Sequence, residues 1–529
     1  MNQFTEKYLQ TARHYIPVRK IKTRSKDKLW VTAGLRKLIR LHNRWSGTYN
    51  RTKRDERKII QNAYRSRVKN ELRRLKNGYF ERHLHKLNES TLSCKTFWSI
   101  AKHLYGNKIK QPIPTLVHGN RHYTLDVEKA TLLNDYFTQQ STLPPPSPDF
   151  SLPQFQYITQ SRLTDIEFTP YQVQQIISKL PVNKASGPDL VSNQLLKCTS
   201  DTICEPLAII FNKSLSSCTY PQAWKCANLT SVFKKNDNTS RENYRPISLL
   251  SCISKIMERL VFNEMYEYFV RNRLLNTRNS GFKKLDSTVN QLVHIVNNIY
   301  KGIDNHHDVC MIFLDISKAF DKVYHEGLLY KLKQLGIEGN LLKWLESYLS
   351  GRTQRVLVNG KASDWCTTNA GVPQGSILGP LLFLVYINDI IENIQSEIYI
   401  FADDTSLMRP IKNEVIDFDL LNEDLTQLHT WAQKWRVTFN ATKTEYMIFS
   451  NKNTIPVYPD LFLGNTKIKQ VENHTHLGLT MDRKLDWKNH VSRISTKAGQ
   501  RVSNIKRIRQ SQEKLYTNHW HIHFLNMQM

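Results

Sequence analysis

The stretch Ile398-Tyr-Ile-Phe-Ala-Asp-Asp-Thr-Ser-Leu-Met408 sets two adjacent aspartates between two short apolar runs. Such runs around a brief interruption predict a tight β-hairpin. At its tip the like charges of Asp403 and Asp404 repel each other, which costs stability unless a cation neutralises them. Aspartate-rich turns are common on protein surfaces, but the apolar flanks favour a buried hairpin. We interpret the pair as candidate metal ligands.

A second segment, Val309-Cys-Met-Ile-Phe-Leu-Asp-Ile-Ser-Lys-Ala-Phe320, carries a third carboxylate. Its apolar residues predict a buried strand that ends at Asp315. Ser317 is then expected to cap a helix that continues through Leu328. Taken alone, an aspartate in this position is more often a structural cap or a turn residue than a functional group.

Together Asp315, Asp403 and Asp404 supply hard oxygen ligands of the kind that Mg²⁺ prefers. Two such ions about 3.5–4 Å apart stabilise both the attacking and the leaving oxygen in phosphoryl transfer. The three aspartates therefore predict a two-metal nucleic-acid polymerase site.

A glycine-rich segment, Ala370-Gly-Val-Pro-Gln-Gly-Ser-Ile-Leu-Gly-Pro380, predicts a shaped loop. Glycines allow its backbone to approach a nucleotide or a template strand closely, and Ser376 is expected to cap an apolar helix over 381–391. The alternative is a plain turn before a core helix.

A basic segment at 232–250 contains Lys234, Lys235 and Arg245. These side chains form a candidate triphosphate clamp, because the guanidinium fork suits bidentate contact with phosphate. Isolated basic residues are otherwise usually solvated surface.

Charge is distributed very unevenly along the 529 residues. The chain has a formal net charge of +29, and residues 1–110 alone hold 29 Lys and Arg against 7 Asp and Glu. A field this one-sided suits a polyanion such as RNA; the alternative is a solvated helical face or a nonspecific basic tail. The eight cysteines include no CxxC pair, which predicts buried thiols in a reducing compartment and no structural zinc site.

No segment predicts export or membrane insertion. The N-terminus lacks the apolar stretch of a signal peptide, and the longest apolar run, 381–391, is shorter than the ~20 residues that a membrane span needs. We expect a soluble intracellular protein with no membrane partner.

Four motifs occur in one order at domain-scale spacing: Asn243-Tyr-Arg-Pro-Ile-Ser-Leu-Leu250, Leu314-Asp-Ile-Ser-Lys-Ala-Phe-Asp321, Gly371-Val-Pro-Gln-Gly-Ser376 and Phe401-Ala-Asp-Asp404. In this combination they resemble the reverse transcriptase of jockey-like non-LTR retrotransposons. The resemblance implies an enzyme that copies an RNA template into DNA, adding dNTPs to the end of a DNA primer. Nuclear action follows from the way such elements replicate.

The implied fold class is α+β, a right-hand polymerase with fingers, palm and a partial thumb. Four segments are expected: a basic helical N-terminal extension at 1–142, a proline-rich linker at 143–153, fingers and palm at 154–450, and a primer-grip region with a truncated thumb at 451–529. In the last of these, the segment Thr475-His-Leu-Gly-Leu-Thr-Met-Asp482 resembles the hairpin that grips the primer.

The resemblance also implies a role for each matching residue. Asp315 and Asp403 would hold two Mg²⁺ ions, for which Mn²⁺ is a possible substitute, with Asp404 beside them. The other roles fall to nucleotide-contacting side chains: triphosphate contact by Lys235 and Arg245, exclusion of a 2′-hydroxyl by Phe320, the nucleotide–template pocket by Gln374 and Gly375, and protonation of pyrophosphate by Lys443. A surface lysine is the alternative for Lys443.

Some features depart from the family pattern. Asn236 stands where the family usually has a glycine, although asparagine tolerates the same left-handed turn. No endonuclease domain is expected before residue 1, and the thumb is expected to end early, which a truncated copy explains. Two alternative functions stay open: a catalytically inactive copy that only binds RNA, and an RNA-dependent RNA polymerase, against which Phe320 argues.

Overall fold

A computed structural model describes residues 1–16, 30–87, 112–148, 150–153, 159–454 and 456–503. The chain divides into two compact units, of which unit 1 comprises 1–17 and 113–490, and unit 2 comprises 18–112 and 491–529. The described helices are α1 (Asn2–Tyr15), α2 (Ala33–Thr52), α3 (Asp55–Leu87), α4 (Asp126–Gln140), α5 (Pro170–Ser178), α6 (Asn193–Cys198), α7 (Ser200–Ser216), α8 (Cys252–Arg271), α9 (Thr288–Asp304), α10 (His325–Gln334), α11 (Gly339–Leu349), α12 (Gly379–Tyr386) and α13 (Glu414–Lys434).

The strands, in chain order, are β1 (Leu116–His118), β2 (Arg121–Tyr123), β3 (Cys226–Phe233), β4 (Tyr244–Leu249), β5 (Asp308–Asp315), β6 (Arg352–Val358), β7 (Lys361–Ala362), β8 (Cys366–Thr368), β9 (Glu397–Phe401), β10 (Asp404–Ile411), β11 (Glu445–Phe449), β12 (Phe462–Leu463), β13 (Thr466–Lys467), β14 (Lys469–Gln470), β15 (Asn473–His476) and β16 (Leu479–Asp482). Two five-stranded sheets dominate unit 1. We call them the central sheet, ordered β14-β11-β5-β10-β9, and the outer sheet, ordered β4-β3-β6-β7 with β8 beside β6.

The central sheet is buried on both faces around β5. Strand β5 is buried from Asp308 to Leu314, as its continuous apolar run predicts. Alternate side chains enter two different clusters. One cluster takes Cys310, Ile312 and Leu314 together with the apolar helix α12. The other takes Val309, Met311 and Phe313 together with Ile295 and Ile299 of α9.

The outer sheet is covered by α4. Leu133 and Phe137 of this helix pack against Ala227, Leu229 and Val356 of strands β3 and β6. Strand β3 pairs antiparallel with β4 and parallel with β6. Residues 126–140, which were expected within the N-terminal extension, thus lie in unit 1 beside this sheet. The four expected segment boundaries remain predictions.

In unit 2, α2 and α3 pack against each other. The Thr32 hydroxyl caps α2 by accepting a hydrogen bond from the Leu35 amide at 3.2 Å. The helix ends at Lys53, whose backbone is left-handed. Gln61 of α3 donates a hydrogen bond to the Ser46 hydroxyl of α2 at 2.8 Å.

Two expected helices differ from the structure. The helix expected from Ser317 is wrong, because residues 317–322 form turns and α10 begins only at His325. Lys318 has a left-handed backbone (φ 52°), which a helix cannot accommodate. The apolar helix α12 also begins and ends earlier than expected. The Ser376 hydroxyl accepts a hydrogen bond from the amide of its first residue, Gly379, at 3.0 Å.

Other expectations concern cysteines and membranes. Cys252 and Cys310 are buried, whereas Cys198 is exposed, so the prediction of buried thiols holds for only part of the set. Within the described ranges, no helix combines the length and the apolar character that crossing a bilayer requires.

A buried ion pair joins α10 to the segment after α12. The ammonium of Lys331 bonds to the carboxylate of Asp389 and, at 2.6 Å, to the Tyr386 carbonyl. It also lies 3.7 Å from the ring centroid of Trp435. Burial lowers the pKa of Lys331 to about 8, although the Asp389 charge opposes this shift. Because both side chains are excluded from water, neither tolerates the loss of the other.

We expect Asp389→Ala to lower the free energy of unfolding by about 3 kcal/mol, because it leaves a buried ammonium without its counter-ion. Denaturant titration followed by tryptophan fluorescence measures this loss. The double variant Lys331→Met, Asp389→Leu should recover much of it. Glu267→Ala, which breaks the exposed pair with Arg271, should cost less than about 1 kcal/mol. Equal losses in the two single variants would contradict the assignment.

Candidate active site

The aspartate pair lies at the tip of a hairpin, as predicted. Strands β9 and β10 pair so that Phe401 is opposite Asp404. Ala402 in the turn has a left-handed backbone (φ 58°), and Asp403 and Asp404 are exposed at the end of otherwise buried strands. The apolar strands are therefore held in the core, while the charges reach solvent.

Asp315 lies next to this tip. Strand β10 is antiparallel to β5, and the pairing places Asp404 directly opposite Asp315. The β5 strand ends at Asp315, so its carboxylate and those of Asp403 and Asp404 occupy the same end of the central sheet. Strand register thus brings Asp315 to the pair Asp403 and Asp404, which lies far along the chain from it.

The ionised forms of Asp403 and Asp404 are disfavoured by their surroundings. Burial raises the pKa of Asp404 to about 6, and the charges of Asp403 and Asp315 act in the same direction. The pKa of Asp403 is also raised, first by burial and also by Asp315. Although both side chains retain solvent contact, protein atoms crowd them enough to disfavour the charged form. Nearby Lys234 and Arg245 oppose both shifts.

The donor set suits a hard divalent cation, although the ligands do not form a closed cage. Among the residues that the structure describes, no three His, Cys, Asp or Glu side chains converge into a complete metal-binding group. Asp315 Oδ2 instead accepts a hydrogen bond from the Lys443 ammonium at 3.3 Å. The carboxylates are oxygen donors of the type that Mg²⁺ prefers.

The predicted triphosphate clamp extends from the outer sheet. Arg245 on β4 is paired with Val232 of β3, and the Lys234 amide donates to the Asn243 carbonyl at 2.8 Å. Burial, and then the charges of Arg245, Lys443 and Lys235, lower the pKa of Lys234. Asn236 adopts the left-handed conformation (φ 71°) expected for it.

Phe320 is held between two aromatic side chains. Its ring stacks on Phe383 of α12 with centroids 4.7 Å apart, and Phe282 meets it edge-on at 5.8 Å. Aromatic contacts of this geometry restrict the ring's position. Because Phe320 follows Asp315 by five residues, the ring is fixed in the turn that leads away from the carboxylates.

The loop containing Gln374 and Gly375 is bonded on two sides. Gln374 donates from its side chain to Asp321 at 2.8 Å, and its carbonyl accepts from the Ser248 amide at 2.8 Å. Gly375 has φ +132°, and a Cβ there would lie 2.5 Å from the Ser248 carbonyl oxygen. Only glycine fits this close approach between the loop and β4.

Glu258, which no sequence motif indicated, supports the same loop. This wholly buried carboxylate accepts hydrogen bonds from the amides of Ile377 at 2.7 Å and Leu378 at 3.3 Å. The signal was an acidic residue inside the apolar sequence of α8, where an unpaired charge would be costly.

A second missed support lies behind the aspartate turn. The side-chain oxygen of Asn279 accepts from the amides of Gly281 at 2.9 Å and Ala402 at 3.5 Å. A Cβ on Gly281 would lie 2.3 Å from the Ala402 nitrogen. The backbone at 279–281 is therefore packed directly against the turn that presents Asp403 and Asp404.

Two mixed sheets flanked by helices, with three carboxylates at one end of the central sheet, fit a right-hand polymerase fold. Residues 233–481 match the family model described as reverse transcriptase (RNA-dependent DNA polymerase). This match, together with the relatives described next, confirms the resemblance to jockey-like non-LTR reverse transcriptases.

Curated relatives support this assignment. The RNA-directed DNA polymerase from mobile element jockey of Drosophila melanogaster is 35% identical over 332 residues, which cover 61% of this chain and 36% of the relative. The probable RNA-directed DNA polymerase from transposon BS of the same species is 29% identical over 475 residues. These residues cover 85% of this chain and 51% of the relative. The chain thus spans about a third to a half of the length of these relatives.

Among solved structures, apo telomerase from Candida tropicalis, truncated from its C-terminal domain, matches with a TM-score of 0.36 and 13% identity. The match covers 50% of this chain and 55% of that chain. A similarity at this level supports no functional argument.

Asp321, beside Gln374, provides a test of the site's electrostatics. Burial raises the pKa of Asp321 to about 6, against the hydrogen bond from Gln374 and the charges of Lys318 and Arg245. A raised folded-state pKa favours folding below the ordinary value near 3.8, and this contribution is lost as pH rises towards 6.

We therefore expect Asp321→Asn to gain stability relative to the natural chain as pH rises from 4 to 7. The gain should total about 3 kcal/mol, since one pKa unit corresponds to about 1.4 kcal/mol. Denaturant titrations across this range measure it. Gln374→Leu should extend the effect to higher pH, because it removes a bond that favours the charged form. A pH-independent difference between Asp321→Asn and the natural chain would refute the buried titration.

Proposed function

We propose that this chain is the RNA-directed DNA polymerase of a non-LTR retrotransposon. In this reaction the 3′-hydroxyl of a DNA primer, paired with an RNA template, attacks the α-phosphate of a dNTP and pyrophosphate leaves. The observation that carries the proposal is the pairing of Asp404 with Asp315 at the end of the central sheet, with Asp403 adjacent. The match of residues 233–481 to the reverse transcriptase family model supports it.

Asp315, Asp403 and Asp404 would hold two Mg²⁺ ions, or Mn²⁺ in their place. When bound, such ions supply charge stabilisation for the attacking and leaving oxygens. Burial, and after it the neighbouring carboxylates, raise the pKa of Asp403 and of Asp404, and a bound cation would oppose both shifts. Carboxylates in this state bind a divalent ion with the release of protons.

The cationic side chains would act on the leaving group. Lys235 and Arg245, with Lys234 beside them, would bind the triphosphate oxygens. Lys443 is the candidate acid, which would pass a proton from its ammonium to an oxygen of the departing pyrophosphate. Its contact with Asp315 at 3.3 Å supports a place beside the reacting groups.

The remaining residues would select and align the nucleotide. Phe320, fixed by Phe383, would lie under the sugar and exclude a 2′-hydroxyl. Gln374 and Gly375 would line the pocket shared by nucleotide and template. The β15–β16 hairpin would grip the primer, since its strands pair from Asn473 to Asp482 and Met481 packs under the central sheet.

The proposed organisation keeps the four segments: extension 1–142, linker 143–153, fingers and palm 154–450, and primer grip with partial thumb 451–529. Within the extension, α2 and α3 carry a large excess of Arg and Lys, which suits sequence-independent contact with an RNA backbone. This charge also favours the second candidate function, an inactive copy that binds RNA. Nuclear action is proposed from the family's replication cycle.

Primer extension on an RNA template tests the metal ligands. We expect Asp403→Asn to reduce dNTP incorporation by roughly 1,000-fold or more, which corresponds to about 4 kcal/mol of barrier. Removal of Mg²⁺ should abolish incorporation by the natural chain. The matched control is Asp419→Asn, an exposed aspartate on α13, which should extend normally. Equal incorporation by Asp403→Asn and the control would remove Asp403 from the site. RNA binding without any extension by the natural chain would favour the inactive copy.

Sugar discrimination tests Phe320. We expect Phe320→Ala to raise incorporation of ribonucleotides relative to deoxyribonucleotides by about tenfold or more, since the lost ring would make room for a 2′-hydroxyl. One hydroxyl clash of this kind is worth about 1–3 kcal/mol. Ratios of kcat/KM for matched rNTP and dNTP measure the effect. Phe462→Ala, an exposed aromatic on β12, is the control. An unchanged ratio in Phe320→Ala would count against this role.

A further inference from the structure

Helix α4 brings an aromatic ring to the edge of the active site. Tyr136 is partly buried, and two cations lie over its ring. The Lys318 ammonium is 5.3 Å from the ring centroid, and the Arg241 guanidinium is 5.0 Å from it. Arg241 is also paired with Glu242 at 3.1 Å, so its charge is matched locally. Lys318, by contrast, belongs to the turn that follows Asp315.

Lys318 has an unusual backbone. Its φ of 52° is left-handed, a conformation that is uncommon for a lysine and often found where a side chain has a functional task. The residue follows Asp315 by three positions, in the turns that replace the expected helix. This backbone directs the chain away from β5 and leaves the side chain next to α4.

The ammonium of Lys318 lies among other positive charges. Burial lowers its pKa, and the charges of Lys234, Lys443 and Arg245 act in the same direction. Asp321 opposes them, but its carboxylate is already bonded to Gln374. Four cations in one region repel each other, and this arrangement is stabilised when a polyanion binds between them.

We propose that Lys318 is a further triphosphate-binding residue of this site, and that Tyr136 is the positioning residue that holds its ammonium in place. The inference rests on the proposed function. It extends the proposed triphosphate site from the outer sheet to the turn that follows Asp315. The face of an aromatic ring attracts a cation without neutralising it. Lys318 therefore remains able to form a charge-assisted bond to a phosphate oxygen.

The direct test is equilibrium binding of inorganic triphosphate with Mg²⁺ to the full chain, measured by calorimetry. We expect Lys318→Met to weaken binding about 10-fold to 100-fold, as the loss of a hydrogen bond between charged groups implies. Lys318→Arg should retain most of the affinity. Tyr136→Leu should weaken binding about 3-fold, whereas Tyr136→Phe, which keeps the ring, should not. Lys412→Met, an exposed lysine towards the far end of the β5–β10 pairing, is the matched control.

Steady-state kinetics separate binding from a structural role. We expect Lys318→Met to raise the KM for dNTP about 10-fold or more with a smaller change in kcat, and to weaken inhibition by pyrophosphate in parallel. The thermal unfolding midpoint of Lys318→Met should equal that of Lys412→Met. If Lys318→Met lowers the unfolding midpoint and kcat but binds triphosphate normally, Lys318 only ties α4 to the turn, and the proposal is overturned.

The binding test distinguishes this inference from the proposed function. A chain that fails to extend a primer but loses triphosphate affinity in Lys318→Met still has the site inferred here. A chain that extends primers with unchanged triphosphate affinity in Lys318→Met keeps the proposed function and loses this inference. Absence of triphosphate binding by the natural chain would also overturn it.

Discussion

The antiparallel pairing of β10 with β5 is the constraint on which the site depends. Its register places Asp404 opposite Asp315, so three carboxylates meet at one end of the central sheet. Like charges at this spacing disfavour the folded state. The opposing contribution comes from the strands themselves, because β5 is buried on both faces and its side chains enter two separate apolar clusters. Hydrophobic burial thus holds in place a charge arrangement that repels itself.

The acidic turn and the glycine loop are fixed by polar side chains that bond to backbone. Asn279 bonds to the amides at 281 and 402, and Glu258 bonds to the two amides that follow Ser376. Bonds of this kind fix backbone without placing another side chain in the cleft.

Positive charge surrounds the carboxylates from two directions. Arg245, Lys234 and Lys235 come from the outer sheet, and Lys443 and Lys318 come from the segments around β5 and β11. Tyr136 of α4 adds an aromatic surface to this group. Since α4 also covers the outer sheet, one helix contributes both to the apolar cluster under that sheet and to the contact with Lys318. Residues 113–142, before the proline-rich segment, therefore belong to the same compact unit as the three carboxylates.

The sequence by itself determined the local elements whose signals lie in short runs of residues. The apolar run before Asp315 predicted a buried strand, and the apolar flanks of Asp403 predicted a hairpin, because period and burial are encoded locally. Four ordered motifs were enough to indicate the family. The left-handed turn at Asn236 was also predictable from the sequence, since few residue types tolerate that conformation.

Only the tertiary structure decided which distant residues meet. No local pattern places Glu258 against the loop after Gly375, Asn279 behind Ala402, or Tyr136 under Lys318. Such contacts depend on strand register and helix packing between segments more than 100 residues apart. The expected helix at Ser317 failed for the same reason, since Ile316 pairs with Phe439 and the chain turns at Lys318 instead of coiling. Long-range packing overrode the local capping signal there.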